Sequence, residues 1–204
     1  MRFVVLIGVT LLSLGAASLA AVADDAALPN GTASGDTVEK PAENHAQRLD
    51  RLFAELKREG NPRAAERIAR RIQREWSQSG SASVDLMMEW AQKAAASQKY
   101  DVALDFLDQV VTLQPDFAEG WNRRATLHYT MKNYAKSMAD IDRTLKLEPR
   151  HYGAISGLAR IMSDTDRKEA AIDAWQRVLD IYPALRAAQD QLSTLSEEVA
   201  GQSI

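Results

Sequence analysis

Apolar residues recur at helical spacing from residue 43 onward. Leu49, Leu52, Phe53 and Leu56 fall at i, i+3, i+4 and i+7 and predict one face of an amphipathic helix, which Gly60-Asn61-Pro62 ends. A second helix is expected from there to Trp76, with Ala65, Ile68, Ala69 and Ile72 on its apolar side, and residues 77–83 read as a polar loop. Past this loop the pattern becomes periodic. Pro115, Pro149 and Pro183 stand 34 residues apart and close the runs "LDQVVTLQP", "DIDRTLKLEP" and "AWQRVLDIYP". A fixed period of that length marks stacked helix-turn-helix units, because one unit alone has no partner for its apolar face.

With 84–117, 118–151 and 152–185 taken as the units, position 8 is small each time (Ala91, Ala125, Ala159), and so is position 20 (Ala103, Ser137, Ala171). Position 24 holds Leu107, Ile141 and Trp175, and position 27 holds Val110, Thr144 and Val178. Small residues let two helices approach closely, and the larger ones fill the space beside the crossing. This pattern resembles the tetratricopeptide repeat family, whose Trp, Leu, Gly and Tyr in the first helix and Ala, Phe and Pro in the second are best met by the middle unit. There Trp121, Ala125, Ser137, Ile141 and Pro149 match or replace conservatively, while Arg124 and His128 stand where the pattern has Leu and Tyr. Met87 and Ile155 replace the Trp in the flanking units. The stretches "AEGWNRRATLHY" and "LEPRHYGAISGL" are similar to those of alphaproteobacterial secreted repeat proteins. The resemblance implies an all-α fold, a right-handed α-solenoid of helical hairpins with capping helices at both ends. Residues 43–83 would be a divergent repeat or cap, with Trp76 packed into repeat one. Residues 186–204 would be the C-terminal cap and tail, turning Leu192, Leu195 and Val199 toward the array. Trp121 is expected between helices.

The chain ahead of residue 43 changes the picture in one respect, the compartment. Residues 3–23 are uncharged, apolar at first and Ala-rich later, and Ala21-Val22-Ala23 precedes Asp24-Asp25, so 1–23 reads as a signal peptide cleaved near Ala23. An uncleaved membrane anchor is the alternative. Residues 24–42 are rich in Gly, Pro, Asn, Thr, Ser and Asp and read as a flexible linker. A periplasmic or secreted protein is therefore expected. The formal net charge of -3 offers no field for nucleic acid, and the absence of cysteine excludes disulfides, thiolate metal sites and a cysteine nucleophile. His45, His128 and His151 are scattered without metal-ligand spacing, and His128 takes a normally inward repeat position. No phosphate loop, nucleophile elbow or zinc-protease helix is present, and "SDTDR" reads as a turn. No catalytic residue, metal or cofactor is assigned, and no enzyme is expected.

What remains is surface. The family resemblance implies that the first helix of each unit lines a concave groove for a protein or peptide partner. Its residues would be Met88, Glu89 and Gln92, with Asp85 and Ala95 beside them; Asn122, Arg123, Thr126 and Tyr129, with Glu119; and Gly153, Ser156, Gly157 and Arg160, with Ser163. Met88 and Gln92 stand where the family's carboxylate clamp has Lys and Asn, so that chemistry is not carried over. Gly157 lies inside a helix, where glycine costs about 1 kcal/mol against alanine. Two readings stay open. A partner's backbone passes over Gly153 and Gly157 while Arg123 and Arg160 donate to it, or the glycines relieve crowding and the arginines pair with Glu119 or Asp164. A second surface is the basic stripe Arg63, Arg67, Arg70, Arg71 and Arg74, which is either solvated or sits on anionic lipid or an acidic partner. The sequence thus reads as a non-enzymatic interaction scaffold of the bacterial cell envelope. The alternative is a structural accessory in peripheral contact with the membrane through the basic helix. No oligomeric state is read from the pattern.

Overall fold

The computed structural model of the chain describes residues 43–202; the expected signal peptide and linker lie outside the described residues. Among these residues there are helices and no strands. Two helices precede the periodic region, α1 (His45–Arg58) and α2 (Pro62–Trp76). The Asn44 side chain accepts from the Gln47 N–H while Gln47 reaches back to the Asn44 N–H, a reciprocal cap that fixes where α1 begins. Asn61 caps α2 by accepting from the Arg63 and Ala64 N–H groups, and Pro62 sits in its first turn, where its missing N–H does no harm.

Six helices follow as three hairpins: α3 (Ala82–Ala96) with α4 (Tyr100–Leu113), α5 (Ala118–Thr130) with α6 (Tyr134–Leu147), and α7 (Tyr152–Asp164) with α8 (Lys168–Ile181). Their turns are copies of one another. Gln98, Lys132 and Asp166, all at the same repeat position, adopt a left-handed backbone with φ of 56°, 59° and 56°. The next residue's N–H reaches back in each case, from Lys99 to Ala94 O, Asn133 to His128 O and Arg167 to Met162 O, at 2.9, 2.8 and 2.8 Å. This is a Schellman cap made three times without glycine. The helix junctions also repeat, with Phe117, His151 and Leu185 donating to Gln114, Glu148 and Tyr182. The small residues at positions 8 and 20 and the larger ones at 24 and 27 are all buried. The molecule is an all-α helical-repeat solenoid, and α9 (Arg186–Gln202) packs on α8 through Ala188, Leu192 and Leu195.

Two expectations are corrected. Trp121 is half-buried, not interdigitated: its Nε1 donates to Pro115 O at 3.0 Å and its ring lies 4.9 Å from the Arg124 guanidinium and 5.9 Å from that of Arg143. An indole N–H needs a partner, and the edge of the repeat supplies one. The second correction concerns the N-terminal hairpin. Trp76 does not enter repeat one. Its ring stacks on His151 at 4.0 Å, with Tyr152 at 5.1 Å and Phe53 at 5.8 Å. Leu49, Leu52, Phe53, Leu56, Ala65, Ala69 and Ile72 share one core with Tyr152, Trp175, Val178 and Tyr182 of the third repeat.

The reason lies in composition. Positions 1 and 31 of the repeat are Val84 and Gln114, then Ala118 and Glu148, but Tyr152 and Tyr182 in the third. Only the third repeat offers an aromatic pair at these two positions, and Tyr152 and Tyr182 meet edge to face at 5.6 Å. Tyr152 OH also donates to Ala69 O at 3.3 Å, and Arg150 lies 4.3 Å from the Phe53 ring while donating to Asp50 at 2.7 Å. In consequence the face of repeat one that a preceding hairpin would cover leaves Leu86, Trp90 and Val102 exposed.

Candidate functional site

The helices α3, α5 and α7 form one wall, and two adjoining recesses open along it. The first, about 600 Å³, lies between α3 and α5. Met88, Glu89, Gln92, Arg123 and Thr126 line it, as do Asp85, Ala95 and Glu119, with buried Ala91, Leu107 and Leu127 as its floor. The second, about 310 Å³, lies between α5 and α7 and takes Asn122, Thr126, Tyr129, Gly153, Ser156, Gly157 and Arg160. Thr126 borders both. Every residue expected in the groove except Ser163 therefore reaches one of the two recesses. Ser163 falls instead beside a third hollow near α9, with Asp164 and Trp175.

The helices are held close by what the sequence places between them. A methyl group on Gly120 would come within 2.8 Å of Val110 Cγ1 and 3.2 Å of Phe117 Cδ1, so α5 rests on α4 at a distance only glycine permits. Gly157 is different. A methyl there would meet only Ile141 Cδ1 at 3.4 Å, an ordinary contact, so crowding does not require glycine at this point of α7.

The arginines part company. Arg123 Nε donates to Glu119 at 2.5 Å, the pairing that the second of the two open readings names, whereas Arg160 is exposed and makes no ion pair among the described residues. Asp164 is taken by two phenols instead, Tyr129 at 2.9 Å and Tyr134 at 3.0 Å. Of the basic stripe on α2, Arg63, Arg67, Arg70 and Arg74 are exposed and Arg71 is half-buried. Arg70 pairs with Glu66 at 2.6 Å and Arg71 with Glu55 at 3.3 Å, so the stripe is partly neutralised.

At the junction of groove and hairpin sits a buried network that sequence reasoning did not assemble. Glu119, 7% exposed, accepts from Asn122 Nδ2 at 2.8 Å, from Arg123 and from His151 Nε2 at 3.1 Å. His151 Nδ1 accepts the Ala154 N–H at 3.1 Å, so the ring's proton belongs on Nε2, where it is donated to Glu119. Trp76 stacks on a face of the same ring. Burial works to raise the Glu119 carboxyl, but the His151 hydrogen bond and the Arg123 charge outweigh it and hold the group below the ordinary carboxylate value of 4.5. A depressed folded value contributes stability that is fully present above pH 4.5 and is lost as pH falls through the folded value. Glu119→Gln is accordingly expected to flatten the acid limb of stability against pH, read as urea midpoints between pH 3 and 6; an unchanged limb would show that Glu119 carries none of it. The signal that could have revealed this pair is His151 standing one residue before a helix, an N-cap position. His128, by contrast, is buried, and burial lowers its pKa, which keeps it a neutral packed residue.

Among the described residues no group of carboxylates and histidines is placed to hold a metal ion, and no helix is long and apolar enough to cross a membrane. No family model matches the chain. A TPR repeat-containing protein of Rhizobium etli is 53% identical over 155 residues, which is 76% of each chain. The small glutamine-rich tetratricopeptide repeat-containing protein 2 of Saccharomyces cerevisiae is 25% identical over 117 residues, 57% of this chain and 34% of that protein. Among solved structures, the first TPR of Spaghetti (RPAP3) bound to the HSP90 peptide SRMEEVD covers 59% of this chain and 95% of its own, with a TM-score of 0.56 at 22% identity. The TPR2B domain of yeast Sti1 in complex with pHsp70 covers 58% of this chain and 99% of its own, with a TM-score of 0.54 at 12% identity. These structures share the fold. Identity of 53% across three quarters of both chains, on three hairpins whose turns repeat hydrogen bond for hydrogen bond, shows that the chain belongs to the TPR repeat-containing proteins.

Proposed function

We propose that the protein is a non-enzymatic scaffold of the bacterial cell envelope that holds a peptide or partner protein against the wall formed by α3, α5 and α7. TPR domains mediate protein–protein interaction, and the RPAP3 and Sti1 domains carry an HSP90 peptide and pHsp70. The residue run 3–23 with its Ala21-Val22-Ala23 end supports the envelope location. The observation that carries the groove assignment is Gly157. Mid-helix glycine costs stability, packing does not call for it here, and it opens the recess beside an unpaired Arg160. A backbone approaching α7 at that point finds room, and a guanidinium offers its fork of donors to carbonyl or carboxylate oxygens.

The test uses two substitutions at one position. Gly157→Ala is expected to raise stability by about 0.5–1 kcal/mol in thermal or urea melts, because the helix gains propensity and Ile141 need barely move. Gly157→Leu fills the recess and should remove most capture of partners from a native envelope extract, quantified by mass spectrometry against wild type, as should Arg160→Ala in part. Full capture by Gly157→Leu with helicity intact would rule out this wall as the docking surface.

A further inference from the structure

The two recesses differ in charge. The larger has an apolar floor, and its charged lining is three carboxylates, Asp85, Glu89 and Glu119, against one guanidinium, Arg123. That guanidinium is already bound to Glu119. Asp85 accepts the Ser79 N–H at 3.1 Å, a contact that leaves its negative charge in place. Glu89 faces Lys93 at 3.6 Å with both side chains mostly in water, where such a pair is weak and screened. The potential at the mouth is therefore negative over an apolar base. In the smaller recess Arg160 is the sole charged lining residue. The wall thus runs from acidic and apolar in the α3–α5 recess to a single cation, Arg160, in the α5–α7 recess.

We propose that this wall is directional and selects an extended peptide with an apolar residue flanked by Lys or Arg in the α3–α5 recess and an acidic residue against Arg160. The inference rests on the groove reading above and adds the chemistry of the occupant. Packed helix axes lie about 8–10 Å apart, so successive recesses are separated by about that much. An extended chain covers such a distance in about three residues at roughly 3.3 Å each. The motif is thus apolar and basic together, with a carboxylate about three positions away. The apolar side chain seats on Met88, Ala91 and Leu127, and the cation stays at the rim near Glu89, where it need not be fully desolvated.

Randomised heptapeptides displayed on phage and selected against the purified native protein test this directly. Leu, Met or Phe beside Lys or Arg, with Asp or Glu about three positions away, should rise about tenfold or more over the unselected pool. A synthetic peptide of that pattern should bind more tightly than the same peptide with its Lys or Arg replaced by Glu, and more weakly at high salt. Glu89→Lys, at an exposed position, should reverse the preference for the cation, while Arg160→Ala should erase only the preference for the carboxylate. Selection of acidic residues beside the apolar one, of peptides without charge preference, or of none above a blank surface overturns the proposal. Peptides that bind Gly157→Leu and Glu89→Lys as well as wild type would dock elsewhere and sink the groove reading too. Peptides lost in Gly157→Leu but acidic opposite Glu89 would sink the polarity alone.

Discussion

Trp76→Ala is expected to cost about 3–5 kcal/mol and to loosen the third repeat before the first. The indole is 7% exposed and stands between Phe53 of its own hairpin and the His151 and Tyr152 rings. Removing it leaves a void at the seam where the α1–α2 apolar stripe meets α7 and α8, and the polar ties across that seam are few: Tyr152 OH to Ala69 O at 3.3 Å and Arg150 to Asp50 at 2.7 Å, with the Gln73 side chain also hydrogen-bonded to Tyr152. The second of these is exposed and contributes little. The hairpin should therefore lift as a unit. Urea denaturation gives the total loss, and amide exchange gives its location. Faster exchange in residues 45–76 and at the start of α7, with α3 and α4 little changed, is the expected map. The opposite map, with repeat one opening first, would mean that the hairpin caps the array in the ordinary way.

That seam is also where sequence and structure diverge, and the divergence is instructive. The repeat register was legible because it is a local property. A small residue at two positions, a large one at two others and a proline at the close recur in each unit, and every copy constrains the next. The hairpin's own helices were equally legible from Leu49, Leu52, Phe53 and Leu56 and from the Asn61-Pro62 start. Where the hairpin docks was not, because an amphipathic stripe states only that it needs an apolar partner. The choice was made two repeats away by Tyr152 and Tyr182, residues that fit the repeat pattern and so drew no notice. The expected groove residues other than Ser163 line one wall, since repeat geometry fixes which positions share it. Their pairing was not fixed by it: Arg123 turned to Glu119 and Asp164 to two tyrosines, while Arg160 was left alone. Side-chain choice among several partners at similar distance is decided by a few tenths of a kcal/mol to a kcal/mol, below what spacing can resolve.

Arg124→Ala should be the second large loss, about 3–5 kcal/mol, and should be repaired by a further substitution that removes more charge. Arg124 donates twice to Asp140, from Nε at 2.8 Å and Nη2 at 2.7 Å, and once to Asp108 on α4 at 2.8 Å. Asp140's side chain is 5% exposed, and the carboxylate has no other donor among the described residues. Truncating the arginine strands a buried anion, whose desolvation is then uncompensated. The same two positions hold Trp90 and Phe106 in repeat one and Leu158 and Ala174 in repeat three, both apolar pairs in contact with their neighbours. The middle repeat has thus exchanged an apolar contact for an ion pair at an equivalent place. Arg124→Leu with Asp140→Ala copies repeat three and should restore wild-type stability or exceed it, as buried pairs commonly do when replaced together. A double variant as unstable as Arg124→Ala would show that the pair contributes net stability through its bridge to Asp108, which holds α4, α5 and α6 in one register. A single variant that loses less than about 1 kcal/mol would show that Asp140 finds water, and the burial argument would fail with it.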